Sequence, residues 1–257
     1  MKPAYLTAVL IFVAVTIFSE YCFAKGNTIV WQGTVQVNRS YAVPKGKTLE
    51  IRPGSRVFLV KGSRLIVRGT LKAVGRKGEE IVFSSSKKSS GGRWQEILLE
   101  SAGNSTMEHC IIENARGGLQ VHDTKLNLTA CTIRNTEIGL RFRGGPLNIN
   151  KCQFTGNGIG LRSYKGLAQI SESDFTNNKI GIFIREKGGG LTITGSNLFQ
   201  NKTHNMRLGD FNNEDVQASG NWWGNENPLA TIFDARNEPG IGHVLFEPFS
   251  KERILWQ

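Results

Sequence analysis

The sequence predicts an all-β solenoid, a single domain built from coils about 21 residues long. Three observations predict it. Cys110, Cys131 and Cys152 stand 21 residues apart, and their column continues as Ser173, Ser196 and Ser219. A glycine column, Gly118, Gly139, Gly160 and Gly181, keeps the same step. Between the columns apolar residues alternate with period two, as in Leu140-Arg141-Phe142, which is strand patterning rather than helical patterning. One coil cannot bury its inward side chains alone, so a fixed period of this length implies stacking.

Residues 1–24 read as a leader. Lys2 opens it, Leu6 to Phe18 is apolar, and Cys22-Phe23-Ala24 places small residues before an expected cut after Ala24. The apolar stretch is short for a bilayer span, and no later stretch could make one. The expectation is an exported chain, periplasmic or secreted, with no transmembrane segment once the leader is removed.

Residues 25–100 form less regular coils. Val35, Ile51, Val67, Phe83 and Leu99 fall 16 apart. That spacing leaves open whether they are successive rungs or different sides of one coil. Pro44-Lys45-Gly46 and Pro53-Gly54 mark turns. Ser84 to Gly92 reads as a loop, after which Trp94 returns to the core or its edge.

Residues 101–220 are the regular coils, each with three short strands and three bends. Ile112, Ile133, Phe154, Phe175 and Leu198 form one inward column. Met107, Leu128, Ile149, Ile170, Ile193 and Val216 form a second. Leu119, Leu140, Leu161 and Ile182 form a third. The last two steps of the small column widen to 23 residues. Asn114, Asn135 and Asn177 occupy a bend, with Asn178 and Asn201 in a register beside it. Asparagine tolerates left-handed backbone and can hydrogen-bond along a stack. The glycine column marks either a positive φ or a crowded corner. Residues 221–257 break the pattern and read as a C-terminal cap, since a solenoid end must cover its open strand edges. Trp222 and Trp223 belong to that cap or offer faces to sugar rings.

A leader leaves three cysteines, an odd number. A column that exchanges cysteine for serine is a small buried position, so reduced, inert thiols are expected. His109, His122, His204 and His243 share no ligand spacing, so neither metal nor cofactor is expected. The net charge of +11 directs an exported protein toward acidic glycans and envelope components rather than nucleic acid.

The coils Cys131-Thr132-Ile133-Arg134-Asn135 to Ile138-Gly139-Leu140 and Phe175-Thr176-Asn177-Asn178 to Ile180-Gly181-Ile182 resemble right-handed parallel β-helix repeat proteins. So do the opening run Val43-Pro44-Lys45-Gly46 to Leu71 and the ending Asn221-Trp222-Trp223-Gly224 with Pro248-Phe249. The resemblance covers most of residues 28–250. It implies a three-sided right-handed parallel β-helix. The group includes pectate-lyase-like enzymes, mannuronan epimerases and accessory proteins of copper-enzyme maturation, so it leaves activity open.

The strand after the glycine column turns one row of side chains outward. Stacking brings together Gln120, His122, Arg141, Arg143, Arg162, Tyr164, Phe183 and Arg185. Arginine forks suit carboxylates, and aromatic faces suit sugar rings. The expected function is a non-catalytic β-helix that binds an acidic polysaccharide or envelope component, or serves as a scaffold. The alternative is a polysaccharide lyase, epimerase or hydrolase acting on uronate polymers, with His122, Arg143 and Tyr164 as its acid–base candidates. Hydrolases need two facing carboxyl groups, and this row supplies none. Asp123 and Glu186 lie at its margin, and Asp210, Glu214 and Asp215 sit in a separate loop.

Overall fold

The computed structural model describes residues 22–86 and 92–256. The chain is a parallel β-solenoid. Eight parallel strands form one side, running from Thr34–Val37 through Arg56–Leu59, Ile81–Ser85, Cys110–Glu113, Thr132–Arg134, Gln153–Thr155 and Asp174–Thr176 to Asn197–Phe199. A larger sheet wraps the remaining circumference. It continues around a corner because Ile138–Asn150 and Ile159–Ser171 pass through that corner without a break, at register shifts near Phe142 to Gly144. Strand Cys22–Lys25 pairs antiparallel with Thr28–Trp31. It crosses the expected cut after Ala24, and the rest of the expected leader, residues 1–21, lies outside the described residues.

The 21-residue register holds through the middle coils. Leu119 pairs with Leu140, Leu161, Ile182, Met206 and Ile232 in turn. Ile112 continues through Ile133, Phe154 and Phe175 to Leu198. These side chains are buried and form one cluster from Trp31 to Phe246. Phe154 and Phe175 stack with ring centroids 4.7 Å apart, one strand spacing.

Three bends per regular coil are visible in the backbone. Asn114, Asn135, Gly156, Asn177 and Gln200 all have positive φ, as do His109, Ala130, Lys151, Glu172 and Gly195, and then Asp123, Gly144, Lys165 and Lys187. The glycine column is a different matter. A Cβ on Gly139 or Gly160 would stand 2.5–2.6 Å from the carbonyl oxygen of the next glycine up the stack. Crowding between coils, not φ, requires glycine there.

Two polar columns hold the corners together. Thr136, Asn157 and Asn178 each donate a backbone N–H to the side-chain oxygen one coil above, on Asn157, Asn178 and Asn201. The amides of Asn157, Asn178 and Asn201 donate back to the carbonyls of Ile133, Phe154 and Phe175. Asn157 is the member the sequence reading missed. The cysteine column works the same way. Cys110, Cys152, Ser173 and Ser196 donate backbone N–H to Cys131 Sγ, Ser173 Oγ, Ser196 Oγ and Asn221 Oδ1. The thiols are free and buried, and burial pushes those of Cys131 and Cys152 well up.

The last coil differs from the expected spacing. The small column ends at Asn221 rather than Ser219, and Gln217 pairs with Thr192, so Val216 sits beside Leu191 and not beside Ile193. The turn at Asn212 adds residues before that strand. Asn212 spends its side chain on Gly188 N–H and Glu214 carbonyl.

The 16-residue series is settled as different sides. Val35 pairs with Val57, and Val57 with Phe83. Ile51 pairs with Ala73, and Val67 with Leu99. Ser84 and Ser85 belong to a strand, and residues 87–91 of the expected loop lie outside the described residues. Trp94 is fully buried and donates Nε1–H to the Glu113 carbonyl at 3.0 Å. Trp223 is also buried, which removes it as a sugar platform, and Trp222 packs on Phe199 with centroids 5.1 Å apart.

Candidate functional site

The eight predicted residues stand on one side, on coils in direct register. Gln120 lies beside Arg141, Arg141 beside Arg162, and Arg162 beside Phe183. His122 lies beside Arg143. Inward partners such as Leu140 and Phe142 are buried, which fixes the outward direction of Arg141 between them. Tyr164 and Arg185 follow at the corner, where the Arg185 guanidinium lies 5.8 Å from the Tyr164 ring.

A depression of about 220 Å³ opens among Gln120, His122, Arg141, Phe142, Arg143, Arg162 and Tyr164. A second, of about 200 Å³, adjoins it through Gln120 and Arg141 and reaches Glu96, Arg116 and Glu137. The predicted row therefore lines a shallow groove.

Its polar contacts divide into two ends. At one end Arg141 donates to Gln120 Oε1 and lies 3.7 Å from Glu96, whose carboxylate also meets Arg64 at 3.4 Å. Gln120 Nε2 stands 2.6 Å from His122 Nε2. The amide is the donor there, so the imidazole nitrogen accepts and the His122 proton sits on Nδ1. Burial, then Arg143 and Arg141, hold His122 below its ordinary value, consistent with a neutral ring. Arg143 meets Asp123 at 3.3 Å at the exposed margin.

The other end lacks such partners. Among the described residues no carboxylate lies within ion-pair distance of Arg162 or Arg185. Arg162 rests 5.7 Å from the Phe183 ring centroid. Burial, then Arg185 and Arg141, lower its pKa from the ordinary arginine value. Half-buried like charges are thus held together with only an aromatic face beneath them.

Sequence reasoning missed what the groove meets at both ends of this row. Glu96 belongs to the irregular coils, where the 21-residue step no longer holds, yet Ile97 pairs with Leu119 and carries Glu96 to the groove. Beyond Phe183 the same outward column continues to Arg207 and Phe233. Arg207 stacks 4.6 Å over Phe233. Counting the insertions would have found them.

Asp210 belongs to strand His204–Phe211 rather than to a loop, and three other carboxylates are engaged away from the groove. Asp215 accepts from His243 N–H at 2.7 Å and Glu214 from Gly189 N–H at 2.9 Å. Asp174 is buried, held by Asn197 and Arg253. Among the described residues no group of three His, Cys, Asp or Glu side chains is placed to hold a metal. No helix there is long and apolar enough to cross a membrane.

Comparison with curated proteins finds no match, and comparison with solved structures finds none. A family model does match. The model for the right handed beta helix region covers residues 18–167, more than half of the chain and most of the groove's coils. With parallel coils in register on every side, the chain belongs to the right-handed β-helix family.

Proposed function

We propose that the protein is a non-catalytic, exported β-helix that binds an acidic polysaccharide or a similar anionic envelope polymer along this groove. The carrying observation is Arg162. It is half-buried between Arg141 and Arg185, backed by Phe183, and has no carboxylate within ion-pair distance among the described residues. An anionic group placed there relieves the repulsion and accepts fork-like hydrogen bonds. Tyr164 and Phe183 supply aromatic surface on either side for the apolar face of a sugar ring. Export rests on the leader expected over residues 1–24, which places the protein in a periplasmic or secreted setting where such polymers occur.

The test is retention on immobilised polyuronate. Charge-assisted hydrogen bonds contribute about 1.5–3 kcal/mol each, so Arg162→Gln combined with Arg185→Gln should weaken retention at least tenfold. Unchanged retention would place the binding surface elsewhere. A second reading is enzymatic, because His122, Arg143 and Tyr164 line one depression and burial, then Arg143 and Arg141, disfavour the charged form of His122, as suits a base. It requires new ultraviolet absorbance from unsaturated uronate, or shorter products, and loss of either in His122→Gln. Binding without turnover across a panel of polyuronates excludes it.

A further inference from the structure

The chain's net charge is not spread along the solenoid. Residues 25–100 hold fifteen Lys and Arg against five Asp and Glu, whereas residues 101–257 hold sixteen against fifteen. The excess therefore lies almost wholly in the first coils, which meet the groove only at its Glu96 end. The five carboxylates there are all engaged. Glu50, Glu79, Glu96 and Glu100 bridge to Arg52, Arg76, Arg64 and Arg68, and Glu80 accepts from Gly78 N–H.

The leftover cations surround the tube. Arg39 and Lys45 sit at two different corners of the first coil. Arg56 opens a strand on the eight-stranded side, and Lys72 points outward from Thr70–Val74. Lys77 stands at a third corner beside Gly78, and Arg93 at the corner that pairs with Gly62. All six are exposed, and none has a carboxylate within ion-pair distance among the described residues. The farthest of them lies about two strand spacings, ~10 Å, behind the end coil, about one Debye length at ~0.1 M salt.

A stripe of charge along one side suits a linear polymer. A collar that occupies every corner of one end suits a plane, and a plane can meet all corners only if the solenoid axis stands across it. No aromatic platform alternates with these cations as it does in the groove, so the field is delocalised rather than shaped for a sugar. We propose that the N-terminal end docks end-on against an anionic lipid surface, with this collar supplying the attraction. The proposal is independent of what the groove binds.

The test is flotation of the full chain with vesicles of phosphatidylcholine alone or with phosphatidylglycerol added. Recovery is expected only with the anionic vesicles and is lost at high salt. Each collar residue changed to Gln should weaken partitioning about fivefold, and a variant carrying R39Q, R56Q, K72Q, K77Q and R93Q should not float. The groove variant R162Q/R185Q should float like the parent chain. Equal flotation with both vesicle types, or a collar variant that floats normally, overturns the proposal. So does a collar variant that loses polyuronate retention but keeps vesicle binding, which would make the collar a glycan site. A collar variant that self-associates in gel filtration, with vesicle binding retained, would reduce the collar to protection of the open strand edges.

Discussion

Ser163 is the odd residue in a column of bulky ones. It pairs with Phe142 on one side and Ile184 on the other, is fully buried, and leaves its hydroxyl without a partner. The reason is volume. The Phe142 ring reaches toward the coil above, where a Cβ on Gly166 would meet it at 2.7 Å. A small residue beside that ring is required, but a hydroxyl is not. A buried unpaired hydroxyl costs about 1–3 kcal/mol, so Ser163→Ala should stabilise the protein by about 1 kcal/mol, read as a higher urea midpoint with unchanged slope. In the sequence Ser163 is the polar exception among Val121, Phe142 and Ile184, the residues two after the third inward column. What the sequence could not show is whether the hydroxyl had found a partner, because that depends on ring orientation one coil away.

At the level of single coils and columns, much was legible beforehand. Identical positions in a solenoid lie on top of one another, so a step of 21 residues translates directly into neighbours, and Gln120, Arg141 and Arg162 were placed side by side by arithmetic alone. The arithmetic failed where insertions accumulate. Arg207 and Phe233 extend the same row outside the regular step, Glu96 reaches the groove two residues before Leu98, the residue in register with Gln120, and the turn at Asn212 shifts Val216 by two positions, from Ile193 to Leu191. The glycine column could be read two ways, and only coordinates separate them. Because crowding is the cause, Gly160→Ala should cost about 1–3 kcal/mol as an overpacking change. It should do so without the positive-φ penalty that would spare asparagine, so Gly160→Asn should be no better tolerated. A thermal melt of the two variants distinguishes these cases.

Across the whole molecule the sequence foretold a rod and a face but not a polarity. The net charge was read as one number for the chain. Divided by coil, it becomes a charged end and a nearly neutral remainder, and that division has meaning only once the coils are known to stack in a line. Family membership follows from the same stacking and says nothing further about chemistry, since a shared backbone hosts unrelated sites.

The final residues turn back over the outside of the eight-stranded side. Ser250 bridges to Trp222, Ile254 exchanges two hydrogen bonds with the Asn197 side chain, and Arg253 reaches Asp174. Most coils touch only the rungs next to them, and such an array frays one rung at a time from its ends. This tail instead staples three rungs into a single cooperative block. Melting should therefore be directional, opening from Thr34–Val37 and leaving the tail's end for last. Hydrogen exchange would read it as slower exchange at Ile254 than at Val35, and the reverse order would mean the staple is loose in solution.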